Sequence, residues 1–254
     1  VNTKIEVPAG GAWFEGHFPG HPILPGVAEL ALALKALAGG GHAISLRGIA
    51  YARLRQRVFP GDHLELVSRE AGPDRLRVDL KRDGILVANA EFILGAPEPS
   101  REQVTRLLNN PDQCGFPSLD ALMPHRPPLR FLASVQRDSE SGLGGTAVIP
   151  GTCALACGGS ASPLAAVEAA AQAAAAWEAL QRWRGGQRAA PRIGYLVALR
   201  DVVFFVARVP ADREFTVVVE LDAAAPPLTH YRIEVSLDGE LMARGTIATF
   251  LTGG

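Results

Sequence analysis

The sequence predicts an α+β protein built from two copies of one unit, each an apolar helix followed by a run of antiparallel strands. Three observations carry this expectation. Alternating apolar and polar segments, separated by turn residues, fill two long stretches of the chain. Two apolar runs of helical length, one after Pro25-Gly26 and one after Ser162-Pro163, stand ahead of those stretches. The order of loop, helix and strands occurs once in each half, although the halves share little residue identity.

Residues 3 to 7 alternate weakly, and GGAWFEGHFPGHPILPG follows as a loop rich in Gly, Pro and His. VAELALALKALA at 27–38 is apolar apart from Glu29 and Lys35, and the glycines at 39–41 end it, which predicts a buried helix of about three turns. ISLRGIAYARLR, HLELVSRE, RLRVDLKRDG and ILVANAEFILG then read as strands, with PGD at 60–62 as a turn. The cluster of Pro and Asn at 97–115 reads as a linker, within which a short helix is expected over 100–108 from Ser100. The units are therefore expected at 1–96 and 116–254. In the second, a strand around LRFLASVQRD leads through TAVIPGTCALACGG to a helix from Ser162 to about Arg184. Ser162 suits its cap and Pro163 its first position. GYLVALRDVVFFVARV, FTVVVELD, THYRIEVSLDG and ELMARGTIATFL complete it as strands, with a turn at PADRE.

Composition excludes several classes. The chain has 254 residues, 48% hydrophobic and 20% charged, enough for a packed core. A net charge of −1 gives no field favouring nucleic acid or an acidic membrane. No run reaches the ~18 uncharged apolar residues of a spanning helix. The opening VNTKIEVPAGG lacks a basic segment followed by an apolar one, and three cysteines are a sparse, odd set. Both point to a cytoplasmic protein with reduced thiols. Cys153 and Cys157 are expected to be small buried hydrophobes rather than metal ligands, since no histidine stands near them at ligand spacing.

HFPGHPILPGV at 17–27 is the most specific string. It resembles the signature of the 3-hydroxyacyl-(acyl carrier protein) dehydratases, the FabZ/FabA-like family with the hotdog fold, in which an antiparallel sheet wraps one central helix. GIAYARLRQRVFPGDHLEL at 48–66 resembles the strand–turn–strand that follows. LMPHRPPLRFLASV at 122–135 is similar to that family's opening segment, and Glu168-Ala-Ala-Ala-Gln172 to the ExxxQ of its central helix. The resemblance implies a tandem (double) hotdog, an intrachain pseudo-dimer, with further homodimerisation left open.

The family's catalysis uses the histidine of this loop and an acid fourteen residues later. His17 matches the histidine, but Ala31 and Lys35 stand where the acid and its glutamine belong. Glu29 is two residues early, about 200° around the helix, and reads as a first-turn carboxylate favoured by the helix dipole. The second half has Glu168 and Gln172, but Ala154 where the histidine belongs. Each half alone is defective, and together they keep one complete site, His17 as base with Glu168 as acid. This complementarity resembles the double-hotdog dehydratase domains of polyketide synthases and the paired unlike dehydratase subunits of bacterial aryl polyene clusters. The polyketide pattern HxxxGxxxxP is not met, because Gly20 falls one residue early.

The residue types suit the chemistry the resemblance implies, dehydration of a (3R)-hydroxyacyl thioester to the trans-2-enoyl form. Neutral imidazole is a suitable base near pH 7, and a dry site among alanines suits a carboxyl that must hold its proton. Gln172 shares a helical face with Glu168 and can orient it. The resemblance further implies that the Gly26 backbone N–H, positioned by Pro25, receives the thioester oxygen. Phe18 and Val27 are expected to line the acyl tunnel. No metal or other cofactor is expected; the partner is an acyl carrier protein. His21 reads as a rim residue and His125 as structural, while His42, His63 and His230 carry no signal. Arg53, Arg55 and Arg57 form either a solvated strand face or a carrier-docking face. A thioesterase in which Glu168 activates water, and a non-catalytic carrier-binding or scaffold subunit, remain alternatives.

Overall fold

A computed structural model describes residues 2–39, 44–100, 116–187 and 191–251. The first unit runs β1 (Asn2–Glu6), α1 (Gly26–Leu37), β2 (Leu46–Leu54), β3 (His63–Gly72), β4 (Arg75–Arg82) and β5 (Ile85–Leu94). The second begins with a single turn, α2 (Leu119–Leu122), followed by β6 (Leu132–Ser139) and β7 (Gly142–Val148). The short β8 (Ala156–Cys157) and β9 (Ser160–Ala161) precede α3 (Leu164–Arg184). β10 (Gly194–Phe204), β11 (Val209–Pro210), β12 (Glu214–Ala225), β13 (Leu228–Leu237) and β14 (Glu240–Leu251) close the chain.

The two apolar helices and the long strands expected are present. Residues 97–100 carry no regular structure, and the rest of the expected linker and its helix lie outside the described residues. The strand β7, GLGGTAV, has no sequence alternation to announce it, because glycines occupy its paired positions. A Cβ at Gly142 would fall 2.2 Å from the Val219 carbonyl oxygen, and one at Gly145 would fall 2.3 Å from that of Ser134. α3 begins one residue later than expected, with Pro163 at the cap and the Leu164 N–H donating to the Ser162 hydroxyl at 3.4 Å. Both halves use one hairpin device. Asp83-Gly84 and Asp238-Gly239 carry positive φ at both positions, the backbone a type I′ turn requires.

Strand order is β1-β3-β4-β5-β2-β10-β14-β13-β12-β7-β6, antiparallel throughout. The sheets of the two halves meet where β2 pairs with β10, from Arg53 opposite Ala198 to Gly48 opposite Val203, and become continuous. The double-hotdog expectation holds: α3 packs on β6, β7, β12, β13 and β14, α1 packs on β1 and β10, and the two helices pack against each other. The buried residues of both halves join one apolar core, from Val27, Ile49 and Phe92 to Leu164, Trp177 and Tyr231. Among the described residues no helix is long and apolar enough to cross a membrane.

Polar side chains fix α3 against its sheet. Trp177 Nε1 and Gln181 Nε2 donate to the Ser139 carbonyl at 2.9 and 3.0 Å. Tyr231 donates its hydroxyl to Glu178 at 2.6 Å, and Arg184 pairs with the buried Asp138 at 2.7 Å.

Candidate active site

The HFPGH string forms a turn that fixes His17. Phe18 and His21 exchange backbone hydrogen bonds across Pro19 and Gly20, and Gly20 has φ +78, so Pro and Gly occupy the positions a type II turn favours. The chain then doubles back. The Ile23 N–H donates to the His17 carbonyl at 3.2 Å, and His17 Nδ1 lies 2.9 Å from the Ile23 carbonyl oxygen. A carbonyl only accepts, so the ring proton sits on Nδ1 and the lone pair on Nε2. Burial lowers the His17 pKa, opposed by the Glu168 carboxyl and by backbone hydrogen bonds at Ile23 and His17. Its ring is therefore neutral near pH 7, with Nε2 available to take a proton.

Glu168 and Gln172 lie one turn apart on α3. Gln172 Nε2 donates to Glu168 Oε1 at 3.0 Å and to the Leu129 carbonyl at 2.8 Å. Its Oε1 accepts the Phe131 and Leu132 N–H groups at 2.7 and 3.1 Å. This fully paired amide joins the helix to the start of β6 and fixes one carboxyl oxygen of Glu168.

The loop carrying His17 rests on the segment carrying His125. The Arg126 N–H donates to the Gly16 carbonyl at 2.9 Å, and Gly16, with φ +86, has no room for a side chain: a Cβ there would fall 1.9 Å from the Arg126 carbonyl oxygen. Polar atoms of His17, His125 and Glu168 all lie within 4.8 Å of one another, with His125 Nε2 3.8 Å from Glu168 Oε1. Two imidazoles and a carboxylate are metal-ligand types. However, ligands about 2.0–2.1 Å from a tetrahedral zinc lie about 3.4 Å apart, so His125 and Glu168 would have to close in to share an ion. Burial, His17 and Arg126 together push the His125 pKa well below its ordinary value.

A cavity of about 340 Å³ opens beside these groups. It is lined by His17, His125, Glu168 and Gly26, by Leu54 at the end of β2 and Arg55 to Arg57 after it, and by Gly194 to Val197 of β10, so it sits at the seam between the halves. On α3 the lining residues are Glu168, Ala171, Ala175, Glu178 and Arg182, one stripe of the helix about 20 Å long. Gly26 opens α1. The Ala28 and Glu29 N–H groups bond the Pro25 carbonyl, which leaves the Gly26 and Val27 N–H groups at the helix start for other acceptors.

Several expectations need correction. Phe18 does not line the cavity; its ring packs against both imidazoles, stacked on His17 at 4.0 Å and edge-on to His125 at 4.8 Å, while the two imidazoles lie 5.2 Å apart. Val27 points into the core and is fully buried, outside the lining. Glu29 is in the first turn of α1, as expected, but it does not face solvent. It is 3% exposed, lines the cavity, and its Oε2 has no hydrogen-bond partner. Cys157 is exposed rather than buried, while Cys153 is buried as expected. His125 belongs to the cavity lining, a position the sequence reading did not give it. The available signal was that MPHRPP is a second proline-flanked loop bearing a histidine. His21, as expected, is exposed at the surface.

Comparison with known proteins separates the halves. Residues 117–252 match the family model of the ApeP dehydratase, and residues 1–89 match that of the ApeI dehydratase. The resemblance to a pair of unlike dehydratase subunits in one chain is therefore borne out. The 3-hydroxyacyl-[acyl-carrier-protein] dehydratase FabZ of Syntrophotalea carbinolica is 38% identical over 108 residues, which is 36% of this chain and 68% of that one. FabZ of Anaeromyxobacter sp. (strain K) is 38% identical over 96 residues, 32% of this chain and 62% of the relative's length. Among solved structures, the dehydratase domain of PpsC from Mycobacterium tuberculosis, in complex with C12:1-CoA, aligns with a TM-score of 0.71 at 16% identity, covering 99% of this chain and 93% of that one. The RzxB dehydratase domain from Pseudomonas fluorescens gives 0.68 at 17% identity, covering 97% and 93%. At such identities the likeness is one of fold.

Proposed function

The chain belongs to the ApeP dehydratase family, and from that membership we propose that it removes water from a (3R)-hydroxyacyl thioester at a single composite site. The observation that carries this reading is the convergence of His17, from the first half, with Glu168, from the second, on one cavity. His17 Nε2 takes the proton from the carbon next to the thioester carbonyl. The C–H electron pair becomes the new carbon–carbon π bond, and the bond to the 3-oxygen breaks with its electrons on oxygen. Glu168 protonates that oxygen, and water leaves. The site then holds an imidazolium and a carboxylate within 4.8 Å of each other, and the proton returns directly or through the released water. Charge that builds on the thioester oxygen is met by the Gly26 N–H at the start of α1. Gln172 keeps the Glu168 carboxyl in place.

The acyl chain lies along the α3 stripe, past the small side chains of Ala171 and Ala175. Arg55 and Arg57 also line the cavity, and such cationic groups suit a phosphate-bearing arm on an acidic carrier protein. The FabZ relatives are named for carrier-bound substrates, which supports an acyl carrier protein as the partner.

The test follows enoyl formation from a 3-hydroxyacyl carrier substrate by the wild type, His17→Ala and Glu168→Gln. Each variant is expected to lose at least about 100-fold in kcat. Turnover near the wild-type rate in either would overturn the composite site. Release of free thiol without any enoyl product would point to a thioesterase instead.

A further inference from the structure

We infer that His125 is a third functional residue of this site, whose Nε2–H holds the departing hydroxyl of the substrate against Glu168. The inference rests on the dehydration reading above and extends it to a residue outside the family's histidine–acid pair.

The two imidazoles hold their ring protons on opposite nitrogens. His17 gives its Nδ1–H to the Ile23 carbonyl, so its free nitrogen, Nε2, carries a lone pair. His125 is the opposite case. Its Nδ1 is buried without a hydrogen-bond partner, whereas Nε2 faces the Glu168 carboxyl. A proton on Nδ1 would be a donor cut off from water and from any acceptor. On Nε2 it points at a carboxyl oxygen. The two imidazoles thus present opposite faces to the cavity, a lone pair from His17 and an N–H from His125.

Distance then limits what that N–H can do. At 3.8 Å, His125 Nε2 and Glu168 Oε1 are too far apart for a direct hydrogen bond, and a polar gap of that length is the kind one bridging oxygen fills. An oxygen in that gap accepts the N–H of His125 and takes the proton of the Glu168 carboxyl, which Gln172 holds in place. In dehydration that oxygen is the one leaving the substrate. His125 gains and loses no proton over the cycle; it supplies a fixed donor where negative charge develops. Its geometry is locked by Phe18, edge-on to its ring, and by the backbone contact between Gly16 and Arg126. Burial, with His17 and Arg126 nearby, keeps the imidazole neutral.

The test compares the full chain with His125→Leu, His125→Gln and His125→Asn, by steady-state dehydration of a 3-hydroxyacyl carrier protein and by thermal unfolding. His125→Leu is expected to lower kcat about 100-fold while KM stays within roughly twofold, the pattern of an interaction made in the transition state. His125→Gln, whose longer side chain can return an N–H to the Nε2 position, should regain at least roughly tenfold of that loss. The shorter amide of His125→Asn withdraws the donor and should stay slow. The Gln and Asn pair keeps the test decisive if the leucine variant does not fold. Equal rates for Gln and Asn, or a folded His125→Leu at the wild-type rate, overturn the inference. If the wild type is active and His17→Ala is not, such a result leaves the dehydration reading standing. A wild type that forms no enoyl product overturns that reading and this inference together.

Discussion

Glu29 lies one turn past Gly26 on α1, in the same cavity as the reacting groups, yet the chemistry gives it no part. Burial raises its pKa well above the ordinary carboxylate range, with the Arg82 guanidinium acting in the opposite direction. A carboxyl that binds its proton more tightly in the folded chain than in the unfolded one costs stability as pH rises. The loss begins near the unfolded value, about 4.5, and continues until pH passes the folded value. Glutamine keeps the shape without the charge. Glu29→Gln should therefore melt higher than the wild type at about pH 8, with the gap narrowing toward about pH 5. A variant that melts lower at the higher pH would mean that the carboxylate is held by a partner. The buried histidines act with the other sign. Burial lowers the pKa of His17 and, more strongly, of His125. The stability they contribute is present above their ordinary value of 6.5 and falls as pH drops below it.

At the scale of the element, α3 carries two functions on adjoining faces. Gln172 turns toward β6 and is fully buried, while Ala171 and Ala175 line the cavity between Glu168 and Glu178. The alanines that make the helix look like plain core are also what leaves space for a chain along it. Ala175→Leu should fill the distal part of that space. The expected result is a loss of about tenfold or more in kcat/KM for a long 3-hydroxyacyl carrier substrate, with a short one little changed. Equal losses for both lengths would place the acyl chain elsewhere. The helix itself was legible because Ser162-Pro163 marks its start and no breaker follows until Gly185. Its stripe was not, since periodicity cannot separate an alanine facing a cavity from one facing the core. β7 was illegible for a different reason. The glycines that let it lie against Val219 and Ser134 remove the alternation by which a strand is recognised.

At the scale of the whole molecule, the site exists because two incomplete halves share one sheet and one core. The pairing of His17 with Glu168 could be read from what each half lacks, Ala31 in place of an acid and Ala154 in place of a histidine. The nearness of His125 could not, because it depends on how the loop around Gly16 rests on Arg126, a contact between segments about a hundred residues apart. The seam that sets this geometry is β2 against β10, and Gly48 pairs there with Val203. A Cβ there would fall 2.6 Å from the Val202 carbonyl oxygen, a backbone atom that cannot swing aside. Gly48→Val should therefore push the two sheets apart and cost about 1–3 kcal/mol, as overpacking of a close contact does. Because the cavity is lined from both sides of that seam, activity should fall together with the melting temperature. Because the core is continuous across it, the chain should still unfold in one transition. Calorimetry alongside the dehydration assay measures both. Two separate transitions, or a destabilised variant with undiminished turnover, would show that the halves are stable apart and that the site does not depend on the seam.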